Sequence, residues 1–116
     1  VSPYGLSKLI GYEIIKSYRT MFNIPVCTAI LFNHESPLRP KKFVFKKIIN
    51  SVEKVWKNNK ARLRAGNIEV KRDWGWGPEY MTGCHKILNS KKIDDYIIKT
   101  GKTIALKKEI IKTIII

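Results

Sequence analysis

Apolar and polar positions alternate along this chain with two different periods. From Leu6 to about Met21, the apolar residues Leu9, Ile10, Ile14 and Ile15 fall on one stripe, with Glu13, Lys16 and Arg19 off it. That spacing predicts an amphipathic helix. Pro25 ends the turn after it, and VCTAILF (Val26–Phe32) is a short apolar run bounded by polar residues, the pattern of a buried parallel strand. NHESPLRPKK reads as a loop. Phe43 to Trp56 predicts a second helix, with Val44, Ile48, Val52 and Val55 on its inner face. Leu63–Ile68 reads as a strand, and RDWGWGPEY as a turn-rich connection because of Gly75 and Gly77. Pro78 suits a first helical position, and that helix runs to about Leu88. DYIIKT predicts another strand, and Thr103 caps a last helix from Ile104 onward. The order α-β-α-β-α-β-α predicts an α/β sheet with helical crossovers. No internal repeat or low-complexity linker divides the chain, so residues 1–116 form a single domain.

Composition changes this picture little. The apolar fraction of 44% is enough for a packed core and excludes wholesale disorder. No apolar run reaches the length of a membrane span, and no secretory signal pattern opens the sequence. Charge is the loudest bulk feature, with 23 Lys+Arg against 9 Asp+Glu. Such an excess suits a nucleic acid, an anionic membrane or a phosphorylated ligand. The excess is nearly all lysine, however, and residues such as Lys54, Lys57, Lys107 and Lys108 are spread along helix faces as solvated charges. A basic nucleic-acid-binding module is therefore the distant alternative. Cys27 and Cys84 lack CxxC spacing and read as free thiols in a reducing cytoplasm.

Several motifs invite chemistry and fail on spacing. TGKT (Thr100–Thr103) lacks the upstream glycine of a phosphate-binding loop, since Tyr96 stands there. Cys84 and His85 are helical neighbours that point apart, so no metal site is expected. Trp56, Trp74 and Trp76 read as core or turn anchors.

The pair Tyr4 and Lys8 is different. Residues four apart share one helix face. A phenol is ordinarily a poor base, releasing its proton near pH ~10. A cation about 4 Å away stabilises a phenolate by roughly 4 kcal/mol at an effective dielectric of about 20, a factor of about a thousand in acidity. A tyrosine so placed can exchange a proton with a sugar hydroxyl. Spacing alone is weak evidence in a lysine-rich chain, and the flanks strengthen it.

SPYGLSK resembles the S-P-Y-G-x-S-K signature of the extended short-chain dehydrogenase/reductases, which act on sugar nucleotides. ILFNHESPLRPKKFVFKKI is similar to the I-L-F-N-H-E-S-P-R-R-G-x-x-F-V-T-R-K-I stretch of the GDP-mannose 4,6-dehydratases within that superfamily. GNIEVKRDWGWGPEYM and IDDYIIKTGKT resemble their G-N-L-x-A-K-R-D-W-G-x-A-x-D-Y-V and D-D-Y-V-I-A-T-G-E-T. The matches run in order from Ser2 to about Ile110. The departures are Leu38 for the first arginine of the S-P-R-R pair, Pro40, Phe45–Lys46, Trp76 and Pro78.

The resemblance implies an α/β fold: a fragment of a Rossmann-like extended short-chain dehydrogenase/reductase fold with part of its substrate-binding region. It implies that the sequence is a truncated domain, since the family's glycine-rich dinucleotide loop and its Ser/Thr-x-Glu pair have no counterpart here. The expected activity is NADP-dependent conversion of GDP-mannose to GDP-4-keto-6-deoxymannose, towards GDP-fucose or related deoxyhexoses, with this stretch alone inactive. Tyr4 and Lys8 match the catalytic pair, and also contact the cofactor. His34 and Arg39 match positions that contact NADP. Asn33 matches an amide that contacts the sugar nucleotide, and Lys47 and Arg72 match basic positions near its diphosphate. Tyr4 would take the proton of the mannose 4-hydroxyl as that carbon is oxidised; a glutamate outside this sequence would take the C5 proton, and water would leave from C6 before C6 is reduced. The implied assembly is a cytoplasmic homo-oligomer, dimer or tetramer. Another sugar-nucleotide epimerase or dehydratase of the superfamily would use Tyr4 and Lys8 equally well.

Overall fold

The computed structural model describes residues 2–58 and 65–115. Its first helix, α1 (Pro3–Met21), starts earlier than the apolar stripe suggests. Pro3 occupies the first turn, and Ser2 caps the helix by accepting from the Gly5 amide at 3.1 Å. Tyr4 therefore belongs to the helix's first turn.

The expected strand over 26–32 is shorter and is followed directly by a second. β1 (Thr28–Leu31) ends before Phe32, and β2 (Asn33–Glu35) begins just after it. The NHE of the expected loop is thus a strand. α2 (Val44–Lys57) follows as expected, with Ile48 buried. The expected strand Leu63–Ile68 lies partly outside the described residues, and residues 65–68 are turn and irregular backbone.

The strand of this region is β3 (Lys71–Trp76), within the stretch read as a connection. Glycine suggested a break there, but Gly75 serves side-chain packing within the strand. α3 (Gly77–Leu88) and β4 (Asp95–Ile98) agree with expectation. The last helix does not start at Ile104: Thr103 opens a strand, β5 (Thr103–Ala105), and α4 (Leu106–Ile115) comes after it. The edge of β3 captures these residues, pairing Asp73 with Thr103 and Lys71 with Ala105.

Two sheets result. β1 and β4 run parallel, Thr28 opposite Asp95 and Leu31 opposite Ile98. β2 and β3 are parallel, and β5 joins β3 antiparallel. Phe32 is the switch point: its amide still bonds Ile98 O at 3.1 Å, and the next residue pairs with β3 instead. α3 touches β1 to β4 and so bridges the two sheets. Among the described residues, Ile48, Tyr80 and Leu106 are the buried apolar side chains, and Asp73 is the buried charge.

Two burial expectations fail. β1 is not buried on both faces, since Ala29 and Ile30 are exposed. β4 is its sole strand partner among the described residues. On α1, Leu9, Ile10 and Ile14 are each about half exposed. Of the stripe only Ile15 is half-buried, and it joins Tyr12 and Arg19 on the α1 face that meets the sheet.

Arg19 makes that contact specific. Its Nη2 meets Asp95 Oδ1 at 2.6 Å, and its Nε donates to Val26 O at 2.9 Å. Tyr12 donates its hydroxyl proton to Asp95 Oδ2 at 2.9 Å. Arg19 first, and then Tyr12 and Thr28, hold the Asp95 carboxyl below the usual range against the opposing effect of burial. Asp95 in turn pushes the Tyr12 phenol up.

Candidate active site

The Tyr–Lys pair occupies the start of α1 and faces a cleft. The Lys8 ammonium lies 5.3 Å from the Tyr4 ring centroid, as the one-turn spacing requires. Ser7 donates its hydroxyl to Tyr4 O at 2.7 Å, within the same turn. Tyr4 is 72% exposed, so its phenol is open to a ligand. The cleft measures about 870 Å³, and Tyr12, Ile30 and His34 line it together with Tyr4 and Lys8. The Tyr4–Lys8 pair and His34, some thirty residues further along the chain, thus share one cavity.

His34 is held from two sides. Its Nδ1 lies 2.9 Å from Phe32 O, and its ring stacks on Tyr80 with centroids 4.9 Å apart. It also lines a second cleft of about 650 Å³, shared with Met81 and His85 of α3. His34 therefore stands between two cavities.

The other singled-out residues lie elsewhere. Arg39 pairs with Glu35, its Nε 3.2 Å from Oε2, and its guanidinium lies 3.8 Å above the Phe43 ring. Burial raises the Glu35 carboxyl, and the charges of Arg39 and His34 oppose that rise. Asn33 opens β2 opposite Trp74. Lys47 is exposed on the first turn of α2. Arg72 is exposed on β3, its Nη1 donating to Lys71 O at 2.8 Å. Asn33, Arg39, Lys47 and Arg72 do not line the Tyr4 cleft.

Sequence reasoning missed three supporting residues. Tyr12 was visible in principle, two turns after Tyr4 on the same face. Tyr80, the partner of His34, carried no local signal. Asp73 is 6% exposed and ties down the β4–β5 turn. Its Oδ1 accepts from the Thr100 amide at 3.0 Å and hydroxyl at 2.9 Å, and its Oδ2 from the Gly101 amide at 2.8 Å. Gly101 has φ +79°, which glycine adopts freely. The TGKT turn thus gives its amides to a carboxylate, as its failed phosphate-loop spacing suggests.

A Tyr-x-x-x-Lys helix beside a parallel strand pair, with helices crossing between strands, defines a Rossmann-like extended short-chain dehydrogenase/reductase architecture. Solved structures share this fold. One is a dTDP-glucose 4,6-dehydratase from Bacillus anthracis in complex with NAD, with TM-score 0.87 and 18% identity over 99% of this chain and 36% of that one. Another is RMD from Pseudomonas aeruginosa complexed with NADPH, with TM-score 0.85 and 23% identity over 93% of this chain and 38% of that one.

Sequence narrows the class. The chain belongs to the GDP-mannose 4,6 dehydratase family, whose sequence model matches residues 1–115. It is 39% identical over 107 residues to GDP-mannose 4,6 dehydratase 2 of Caenorhabditis elegans, covering 92% of this chain and 28% of that protein. It is 36% identical over 112 residues to the Homo sapiens GDP-mannose 4,6 dehydratase, covering 97% and 30%. The chain therefore spans under a third of the length of these relatives.

Proposed function

We propose that this chain supplies the Tyr–Lys pair and part of the sugar-nucleotide side of an NADP-dependent GDP-mannose 4,6-dehydratase. The product would be GDP-4-keto-6-deoxymannose, on the way to GDP-fucose or related deoxyhexoses. The observation that carries the reading is the single cleft lined by Tyr4, Lys8 and His34 in a chain of this family.

The cleft's donor set suits the nicotinamide end of a dinucleotide. Lys8 offers an ammonium for ribose hydroxyls, Ile30 and Leu31 offer apolar wall, and His34 closes the far side. The nicotinamide, when bound, supplies the hydride acceptor and donor. Tyr4 holds and moves the proton of the sugar's 4-hydroxyl at its phenolic oxygen, with the Lys8 ammonium beside its ring. Arg39 brings a planar guanidinium suited to phosphate. Asn33 would bond the sugar nucleotide, while Lys47 and Arg72 would meet its diphosphate through charge-assisted bonds. The half-exposed apolar stripe of α1 supports work as a homo-oligomer, dimer or tetramer. Two unpaired cysteines fit the cytoplasm.

The test expresses the longest reading frame that contains these 116 residues and incubates it with GDP-mannose, UDP-glucose and dTDP-glucose. Conversion of GDP-mannose to the 4-keto-6-deoxy sugar is expected, and Tyr4→Phe should lower turnover by at least about a hundredfold while nucleotide binding persists. Turnover of a non-GDP sugar alone assigns the chain to another reaction of the superfamily. Unchanged turnover in Tyr4→Phe removes the phenol from the mechanism.

A further inference from the structure

The Tyr4–Lys8 pair occupies the first turns of α1, and the helix is fastened to the strands further along. At about 3.6 residues per turn, Tyr4, Lys8, Tyr12, Ile15 and Arg19 fall within an arc of about 80° around the helix axis. Leu9, Ile10 and Ile14 lie outside that arc and are each about half exposed, so apolar packing leaves the rotation of α1 open. Among the described residues, the side-chain hydrogen bonds from α1 to the strands and their approaches come from Tyr12 and Arg19. Both converge on Asp95, the first residue of β4. The Tyr12 hydroxyl donates to Asp95 Oδ2 at 2.9 Å, and Arg19 Nη2 meets Oδ1 at 2.6 Å. Arg19 Nη2 also lies 3.5 Å from Thr28 Oγ1, and Thr28 stands opposite Asp95 in the β1–β4 ladder. The two donors leave the helix about 10 Å apart along its axis and use separate carboxylate oxygens, so together they resist rotation.

We propose that Asp95 is a positioning residue for the Tyr4–Lys8 pair, holding α1 at the rotation that presents the phenol and the ammonium to the cleft. The inference rests on the reading of that pair as the working groups of the site. Asp95 does not itself line the Tyr4 cleft, so it acts through the helix. Tyr12 and Thr28, the groups around the carboxylate, do line it, and the tether is continuous with the cleft wall.

Small rotations matter here. A turn of about 10° moves a side-chain tip at a radius of about 5–6 Å by about 1 Å. A misplacement of about 1 Å can cost about a hundredfold in rate. Asp95→Asn keeps the shape of the side chain and replaces one of its two acceptor oxygens by an NH2 group, so one of the two bonds to α1 loses its acceptor. Arg19→Lys keeps the charge and loses the planar fork that reaches Asp95 and Val26 O together.

The test uses the longest reading frame that contains these 116 residues and two double-mutant cycles. The first reads the dissociation constant of NADPH by its fluorescence. Asp95→Asn should weaken binding by at least about fivefold when Lys8 is present and by less than about twofold in a Lys8→Ala background. The second reads turnover of GDP-mannose, where Asp95→Asn should cost at least about tenfold beside Tyr4 and less than about twofold in a Tyr4→Phe background. A merely structural role lowers the folded fraction and so costs the same factor in both backgrounds. Equal factors in either cycle, or wild-type affinity and turnover in Asp95→Asn, would overturn the proposal. Arg19→Lys should show the same coupling, and it decides if Asp95→Asn fails to fold. A wild type that binds NADPH and converts no GDP-mannose removes the proposed function, and the NADPH cycle then decides this inference by itself. A wild type that binds no NADPH overturns both.

Discussion

Gly75→Ala drives a methyl group into the ring that supports His34. In the β2–β3 ladder, Gly75 stands opposite His34. The Tyr80 ring, 2% exposed, passes over this point to stack on the imidazole. A Cβ on residue 75 would lie 2.2 Å from Tyr80 Cε2 and 2.8 Å from its hydroxyl oxygen. Carbon atoms in contact ordinarily sit about 3.5–4.0 Å apart, so the ring must move by more than an ångström. It is buried and already lies against His34, so the overlap is shared with the strand. Overpacking of this kind costs about 1–3 kcal/mol. With a urea dependence of about 1.5 kcal/mol per molar, the unfolding midpoint should fall by about 0.7–2 M. Circular dichroism across a urea series measures it. In a Tyr80→Leu background the methyl group meets no ring, and the penalty should shrink by about 1 kcal/mol or more. An unchanged midpoint in Gly75→Ala, or an equal penalty in both backgrounds, would show that Tyr80 does not occupy this position.

Three further outcomes follow from buried groups. Ile48→Ala removes a side chain that is 2% exposed and should cost about 2–5 kcal/mol by the same urea measurement; a loss well below that places Ile48 outside the core. Burial opposes the Asp73 charge, yet hydrogen bonds from Thr100, Gly101 and Lys102 hold its carboxyl below the ordinary value. A depressed carboxylate adds stability that is complete above its unfolded value near ~3.9 and is lost as pH falls through the folded value. The melting temperature should therefore drop below about pH 4, and Asp73→Asn should flatten part of that drop while lowering the melting temperature at neutral pH; an identical acid profile removes Asp73 from the linkage. Tyr80→Phe deletes a buried hydroxyl without a partner among the described residues, so stability should hold or rise by up to about 1 kcal/mol; a clear loss in calorimetry would reveal a hydrogen bond.

How much of this was legible in the sequence depends on the range of the forces involved. Elements set by local periodicity came through: α2 with Ile48 inward, α3 behind Pro78, and β4 each lie where the pattern puts them. Errors cluster where a partner distant in sequence decides. β3 hid behind its glycines because its partner β2 lies about forty residues upstream, and β5 looked like a cap because its partner β3 lies thirty residues upstream. Within the site, Tyr4, Lys8 and His34 were readable from motif context, and the structure gathers them in one cleft. The Tyr80 stack and the Asp73 clamp left no local pattern to read.

The hydrophobic stripe of α1 misled most usefully. It groups Leu9, Ile10, Ile14 and Ile15 on one face, yet the first three are half exposed, and only Ile15 of the stripe joins Tyr12 and Arg19 on the inward side. Apolar burial is non-directional, so a stripe says that something covers it and not what. Hydrogen bonds and ion pairs are directional, and Asp95 supplies both at the C-terminal half of the helix. Tyr4 and Lys8 lie on the continuation of that inward face, at one-turn steps from Tyr12. A helix turned by its greasy stripe would carry the phenol away from His34. The rotation that presents Tyr4 to the cleft is thus held by one carboxylate on β4, and the proton-transfer role proposed for the pair depends on the Asp95 tether.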